Sequence, residues 1–109
     1  MDVVPAENDW TYSPFNASID NDNIYGRGAI DDKGPAIASL YAMKAVADNY
    51  ELKDKRVRLI LGLNEENNWK CIERYKETEE LPDVAFSPDA NFPCIYAEKT
   101  IESIYLKQK

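Results

Sequence analysis

The feature that most constrains the fold is an almost unbroken apolar run, RVRLILGL at residues 56–63. A strand covered on both faces needs apolar side chains at nearly every position, whereas a strand with one wet face alternates between apolar and polar. The run therefore predicts a buried strand of a parallel sheet. Helical patterns flank it at about residues 35–48 and 67–77. This order of elements predicts an α/β fold with a partial, mostly parallel sheet flanked by helices.

Shorter segments would complete this sheet. Four of them read as strands or strand ends, at residues 1–5, 84–86, 94–97 and 101–106. Residues 6–23 are polar and include the turn formers Asn21 and Asp22, which predicts a packed surface loop or an irregular hairpin. Pro35 suits the first turn of the helix that follows, because proline lacks the amide hydrogen that this position leaves unused.

Composition narrows the class of protein. The 109 residues include 20 acidic and 13 basic side chains, for a net charge of -7, which disfavours binding to nucleic acid or to an anionic membrane. No apolar run approaches the roughly 20 residues that a membrane-spanning helix needs, and no signal segment is recognisable, so we expect a cytoplasmic protein. The two cysteines, Cys71 and Cys94, are too few for a disulfide framework and are expected to be reduced thiols.

Acidic side chains follow the predicted strands. In open α/β sheets, ligands lie outside the carboxyl ends of the strands. The acids expected along this rim are Asp31, Glu65, Glu66 and Asp89. Like charges that lie close together repel each other and need a cation, a shared proton or solvent between them. A divalent metal ion is the usual answer, so the pattern leaves a metal site and a purely structural role both open.

Each of these acids also has a purely structural explanation. Asp32 stands just before Gly34 and Pro35, where it would cap the helix that follows. Glu65 and Glu66 precede the second helix, where their charges would oppose its dipole. On this interpretation the chain is a plain structural domain whose acids only stabilise helix ends.

Longer motifs carry a resemblance over nearly the whole chain. In order, they are MDVVPA at the start, WTYSPF, IYGRGAIDDKGP at 24–35, the glutamate pair at 65–66, WKC at 69–71 and FSPDANFPCIYAEK at 86–99. With these motifs the chain resembles the PepV-type dipeptidases, within the zinc exopeptidases that also include carnosinase, aminoacylase, acetylornithine deacetylase and glutamate carboxypeptidase. IYGRGAIDDKGP is typical of the wider family, whereas SPDANFP followed by IYAEK points to the dipeptidase branch.

The resemblance implies a two-zinc catalytic site. Asp31 matches the carboxylate that bridges the two zinc ions, Glu66 matches a ligand of one zinc, and Asp89 matches a ligand of the other. Glu65 matches the general base that takes a proton from the metal-bound water. The implied reaction is hydrolysis of the peptide bond of a dipeptide, with Zn²⁺ as cofactor and Mn²⁺ or Co²⁺ as alternatives.

Two further acids match residues that surround the metal ligands. Asp2 matches the acid of the family's His-x-Asp motif, which orients the histidine ligand through its other ring nitrogen. Asp32 follows the bridging aspartate, and the resemblance implies a cis peptide bond between Asp31 and Asp32.

The chain also departs from the family pattern. The histidine of His-x-Asp would stand just before Met1, and the sequence contains no histidine at all. The second histidine ligand and the lid or dimerisation domain would lie beyond the last residue. Asn64 stands where an acid commonly precedes the glutamate pair, and Asn67 and Asn68 replace a small Ser-Gly-like step. We therefore expect residues 1–109 to form a partial catalytic domain.

These departures decide what we expect of the chain by itself. Two protein ligands would remain at each metal position, where a catalytic zinc has three, so we expect weak metal binding or none, and no activity. Strand edges and apolar faces left open predict a homo-oligomer. The alternative to a fragment of an enzyme is a truncated, non-catalytic homologue that acts as a binding or assembly module.

Overall fold

The computed structural model describes residues 1–90, 95–99, 104 and 106–108. Within these residues the regular elements are two strands and two α-helices. In chain order they are β1 (Ser18–Asp20), β2 (Asn23–Tyr25), α1 (Gly34–Asn49) and α2 (Lys70–Thr78). The described chain therefore combines strands with helices, as an α/β sequence pattern predicts, but its strands are few and short.

The two strands form an antiparallel hairpin. Ser18 pairs with Tyr25 and Asp20 with Asn23, which leaves a two-residue loop at Asn21 and Asp22. Both loop residues have positive φ, 46° and 63°. Two successive positive φ angles are the mark of the turn that matches the twist of paired strands, and asparagine and aspartate tolerate it. The hairpin expected around these turn formers is therefore present.

Helix α1 agrees with its prediction to within a residue at each end. Pro35 occupies the first turn, as its missing amide hydrogen predicts. The helix ends where Tyr50 becomes extended, and the amide of Tyr50 donates a last hydrogen bond of 2.9 Å to the carbonyl of Val46. The apolar face that begins at Ile37 and Leu40 is largely exposed. Local sequence therefore specifies this helix, although little of the described chain packs on it.

Helix α2 begins three residues later than the sequence pattern suggests. Trp69 has a left-handed backbone, with φ 58°, which interrupts helical geometry immediately before Lys70. The amide of Trp69 donates to the carbonyl of Asn64 at 3.0 Å and closes a turn over residues 64–69. The acidic pair at 65–66 therefore lies in a turn that precedes the helix.

The parallel sheet expected from the sequence does not appear in the described residues. Residues 56–63 carry no strand, and neither do residues 1–5 or 84–86. A strand needs a neighbour to accept and donate its ladder hydrogen bonds, and the sheet that forms here is only the antiparallel pair β1–β2. The strands predicted at 94–97 and 101–106 fall partly outside the described residues.

The chain is less compact than a globular domain of the same length. Its radius of gyration is 18.0 Å, with principal extents of 61 × 44 × 28 Å. A compact domain of about 100 residues has a radius of gyration of about 13 Å. Among the described residues only Gly28 is buried, and the core contains no buried apolar side chain. In the same part of the chain, no helix is long and apolar enough to cross a membrane.

Candidate functional site

The first acidic segment follows a glycine-rich loop. Gly28 has φ 77°, a left-handed conformation that glycine adopts without a steric penalty. A π-type turn, Ala29–Lys33, comes next, and the amide of Lys33 donates to the carbonyl of Gly28 at 3.0 Å. Inside this turn Asp31 and Asp32 leave helical geometry, and the peptide bond between them is cis, as the sequence motif implies.

The second acidic segment is the turn before α2. The amide of Glu65 donates to Oδ1 of Asp2 at 3.2 Å, and the amide of Glu66 donates to Oδ2 of the same carboxylate at 3.2 Å. Val3, the next residue, lies against the glycine-rich loop, since a Cβ added to Gly28 would come within 2.6 Å of Val3 Cγ1. The N-terminal segment therefore contacts both acid-bearing segments.

Electrostatic effects show that acids from distant parts of the sequence lie near one another. The pKa of Glu65 is raised above its ordinary value, first by partial desolvation of an otherwise exposed carboxyl group. The remaining causes are the negative charges of Glu66, Asp89, Asp2 and Asp31, in that order. Each charge disfavours ionisation of Glu65, because a second carboxylate nearby costs Coulomb energy. The structure therefore brings these side chains into one electrostatic neighbourhood.

Asp89 belongs to the same neighbourhood. Its pKa is also raised, first by desolvation and then by the charges of Asp31 and Asp32. Residue 89 lies in an irregular segment, so neither a helix nor a strand fixes its position. The segments around residues 2, 31, 65 and 89 therefore lie close enough for their acids to interact electrostatically.

These acids do not form a metal centre in the described residues. Across residues 1–90 and the other described positions, no three histidine, cysteine, aspartate or glutamate side chains come close enough to hold one ion. A catalytic zinc needs three protein ligands within about 2.0–2.3 Å. The described residues therefore do not fit a bound zinc ion as they stand, although their carboxylates are chemically suitable donors.

The sequence did not predict the contact between Asp2 and the amides of Glu65 and Glu66. Sequence reasoning placed Asp2 behind a histidine ligand, whereas in the structure its two oxygens accept hydrogen bonds from the amides of Glu65 and Glu66. No local pattern links residues more than 60 positions apart, because backbone amides leave no mark in the sequence.

A second surface lies beside the acidic site. An open, mostly apolar groove of about 1490 Å³ is lined by aromatic side chains including Trp10 and Phe15, and Asp9, Arg27 and Lys33 are among its polar residues. The guanidinium of Arg27 lies 4.9 Å from the centre of the Trp10 ring, a distance at which the ring face attracts a cation. None of the predicted site acids lines this groove.

Comparisons with known proteins bear on the whole chain. The sequence profile of Peptidase family M20/M25/M40 matches residues 1–106. "Putative dipeptidase YtjP" of Bacillus subtilis (strain 168) is 54% identical over 93% of the chain. Proteins named "Putative dipeptidase" from Staphylococcus aureus (strain USA300) and Staphylococcus haemolyticus (strain JCSC1435) are 49% and 48% identical over 99% of it. The chain spans only 22% to 23% of the length of these relatives.

Proposed function

Because the chain belongs to Peptidase family M20/M25/M40, we propose that the whole protein is a metal-dependent dipeptidase and that these residues are part of its catalytic domain. The names of the relatives support a peptide substrate. The acids gathered around Glu65 support a hydrolytic centre. In the whole protein the remaining chain would supply further strands and complete a mostly parallel sheet.

Glu65 is the general base of this proposal. A carboxylate that accepts a proton from water and passes it to the departing amine contributes about 10²–10⁴ in rate. Such a group works best when its pKa lies nearer the working pH than that of an ordinary carboxyl. In the structure, desolvation and the surrounding negative charges raise the pKa of Glu65. The match of the chain to the peptidase family profile is the observation that carries the proposal.

In the whole protein, Asp31, Glu66 and Asp89 are the residues that would hold the metal ions. The chain has no histidine, so residues outside it would complete the two sites. Bound metal would polarise the scissile carbonyl and promote ionisation of water. The chain by itself is proposed to be inactive, because only two protein ligands would remain at each metal position, where a catalytic zinc has three.

Substitution of Glu65 by glutamine in the whole protein tests this proposal. The amide keeps the shape of the side chain but cannot accept the proton, so we expect kcat on a simple dipeptide to fall by at least ~10²–10⁴. Elemental analysis should find the metal content unchanged. Glu73→Gln, which neutralises an exposed acid on α2, is the matched control and should retain activity.

Three outcomes decide between the assignments. Loss of metal together with activity in Glu65→Gln would make Glu65 a ligand and the general-base assignment wrong. Full activity in the same variant would remove Glu65 from the mechanism. A whole protein that binds no metal and hydrolyses no dipeptide would instead support a non-catalytic binding or assembly module.

A further inference from the structure

The carboxylate of Asp2 joins the beginning of the described chain to the turn before α2. Oδ1 accepts from the amide of Glu65 and Oδ2 from the amide of Glu66, each at 3.2 Å. Both distances lie at the long end of the range for an N–H···O hydrogen bond. One carboxylate therefore binds two consecutive backbone amides of the acidic pair.

The carboxylate of Asp2 accepts hydrogen bonds from backbone amides that the turn itself does not use. The turn over residues 64–69 closes through the amide of Trp69, so the amides of Glu65 and Glu66 are free for another acceptor. Successive amides in a turn form a concavity that suits an anion. A carboxylate is a charged acceptor, which strengthens an amide hydrogen bond, although at 3.2 Å both bonds are longer than the roughly 2.7–2.9 Å of charge-assisted pairs. Asp2 is thus a well-matched partner for this turn.

The neighbour of Asp2 extends the same connection. Val3 packs beside Gly28, the residue that leads into the turn containing Asp31. Residues 2 and 3 therefore link the turn of Glu65 to the loop of Asp31 through one hydrogen-bonded and one apolar contact.

We infer that Asp2 is a positioning residue that fixes the backbone of Glu65 and Glu66, and through it the direction of the Glu65 side chain. The inference rests on the proposed function for its effect on catalysis, but the two hydrogen bonds can be tested without it. Holding both amides restricts the φ and ψ angles of two successive residues. The Cα–Cβ bond of the proposed base is then aimed before substrate arrives.

This role differs from orientation of a metal-bound histidine, which the sequence motif implies for the same residue. If Asp2 acted only through a histidine, its loss would weaken metal binding, and excess metal would restore turnover. If Asp2 fixes the turn, excess metal leaves kcat low, because the base stays misaligned at full occupancy.

The structural test is made on the wild-type whole protein. With ¹⁵N-glutamate and ¹³C-aspartate labels, the amide nitrogens of Glu65 and Glu66 should each show a through-hydrogen-bond coupling to the carboxylate carbon of Asp2. This measurement needs no variant and no activity. Absence of both couplings would overturn the inference, whatever the enzyme proves to hydrolyse.

The kinetic test compares Asp2→Asn with Glu7→Gln, which removes the same charge from an exposed position in the same segment. In Asp2→Asn one acceptor oxygen becomes an amide group, so we expect kcat to fall by about 10–100-fold at saturating metal, with KM nearly unchanged. Glu7→Gln should match the wild type. Recovery of kcat by added metal, or a change confined to KM, would overturn the positioning role.

If the whole protein has no dipeptidase activity, the proposed function is wrong. The couplings between Asp2 and the amides of Glu65 and Glu66 then still test the positioning role of Asp2. An Asp2→Asn protein that does not fold would be judged by the same wild-type couplings. Their presence supports the positioning contact, and their absence rejects it.

Discussion

The hydroxyl of Tyr12 shows how one hydrogen bond fixes a residue in a chain with little core. It donates to Oδ2 of Asp20 at 2.7 Å, and its ring stacks on Tyr25 with centroids 4.4 Å apart. The bond to Asp20 is the main cause that raises the pKa of Tyr12, followed by desolvation and by the charge of Tyr25. The loop before the hairpin is thereby attached to β1.

This shift predicts a loss of stability in alkali. Since the folded state holds the Tyr12 proton more tightly, its contribution is fully present below the ordinary tyrosine pKa, about 10, and is lost as pH rises through the folded pKa. Tyrosine ionisation is followed by ultraviolet absorbance in the wild type and in Tyr12→Phe. The difference between the two titration curves should give the raised pKa of Tyr12. Asp20→Ala should lower it, and an unchanged titration would contradict the prediction.

Gly28 gives a second prediction for a single residue. Its φ of 77° and the approach of Val3 leave no room for a side chain, because an added Cβ would lie 2.6 Å from Val3 Cγ1. Gly28→Ala should lower the free energy of unfolding by about 1–3 kcal/mol. Gly62→Ala is the control, since its Cβ would meet Cys71 Sγ at an ordinary 3.5 Å. Equal urea midpoints for the two variants would contradict this account.

At the scale of elements, Arg58 attaches the irregular segment around residue 58 to the end of α2. Its guanidinium donates to the hydroxyl of Tyr75 and to the carbonyl of Glu80, the latter at 3.1 Å. The carboxylates of Glu79 and Glu80 lie 3.9 and 3.7 Å away, and the Tyr75 ring lies beneath the guanidinium. Several contacts through one planar group therefore connect this segment to the end of α2.

Arg58→Ala should therefore destabilise the attachment of α2 by about 1–2 kcal/mol, since hydrogen bonds from a charged donor are involved. Arg74→Ala removes an exposed pair with Glu77 at 3.5 Å within the same helix and should cost at most about 0.5 kcal/mol. Amide hydrogen exchange along α2 measures both effects. Similar exchange in the two variants would show that Arg58 does not hold the helix.

The elements also show what local sequence specifies. Helix α1 was predicted at 35–48 and is found at Gly34–Asn49, because its hydrogen bonds and its Pro35 start are internal to the segment. The run at 56–63 was predicted as a strand and is not one here, because a strand depends on neighbours that the described residues do not supply. The start of α2 was missed because no rule anticipates the left-handed Trp69.

For the acidic site, too, some features follow from the sequence and others do not. The order of acids along the sequence predicts that residues near 31, 65 and 89 approach one another, and the charge of Asp31 is among the causes that raise the pKa of both Glu65 and Asp89. The roles of these acids as ligands and base stay predictions. The sequence does not predict the geometry of a metal centre, because such a centre requires ligands fixed to fractions of an ångström. The amide contacts of Asp2 were also beyond prediction, as they depend on the path of the whole backbone.

At the scale of the whole molecule, apolar surface is the dominant feature. Large side chains stand almost fully exposed, including Ile30 at 88%, Val84 at 85% and Phe86 at 86%. Soluble monomers rarely leave such surface uncovered, because contact with water costs free energy in proportion to area. In relatives four times longer, other parts of the chain are available to cover these side chains. The isolated chain has only further copies of itself.

We therefore predict that the 109-residue chain forms dimers or higher oligomers at micromolar concentration. Its charge of -7 opposes association, but ordinary salt screens charges beyond about 10 Å, so the apolar contact prevails. Light scattering or sedimentation measures the outcome. Val84→Lys combined with Phe86→Lys should weaken association at least tenfold, whereas Asp83→Lys, which changes the net charge by the same amount, should do so less. A clean wild-type monomer with sharp, dispersed amide resonances would show that the chain closes its own core.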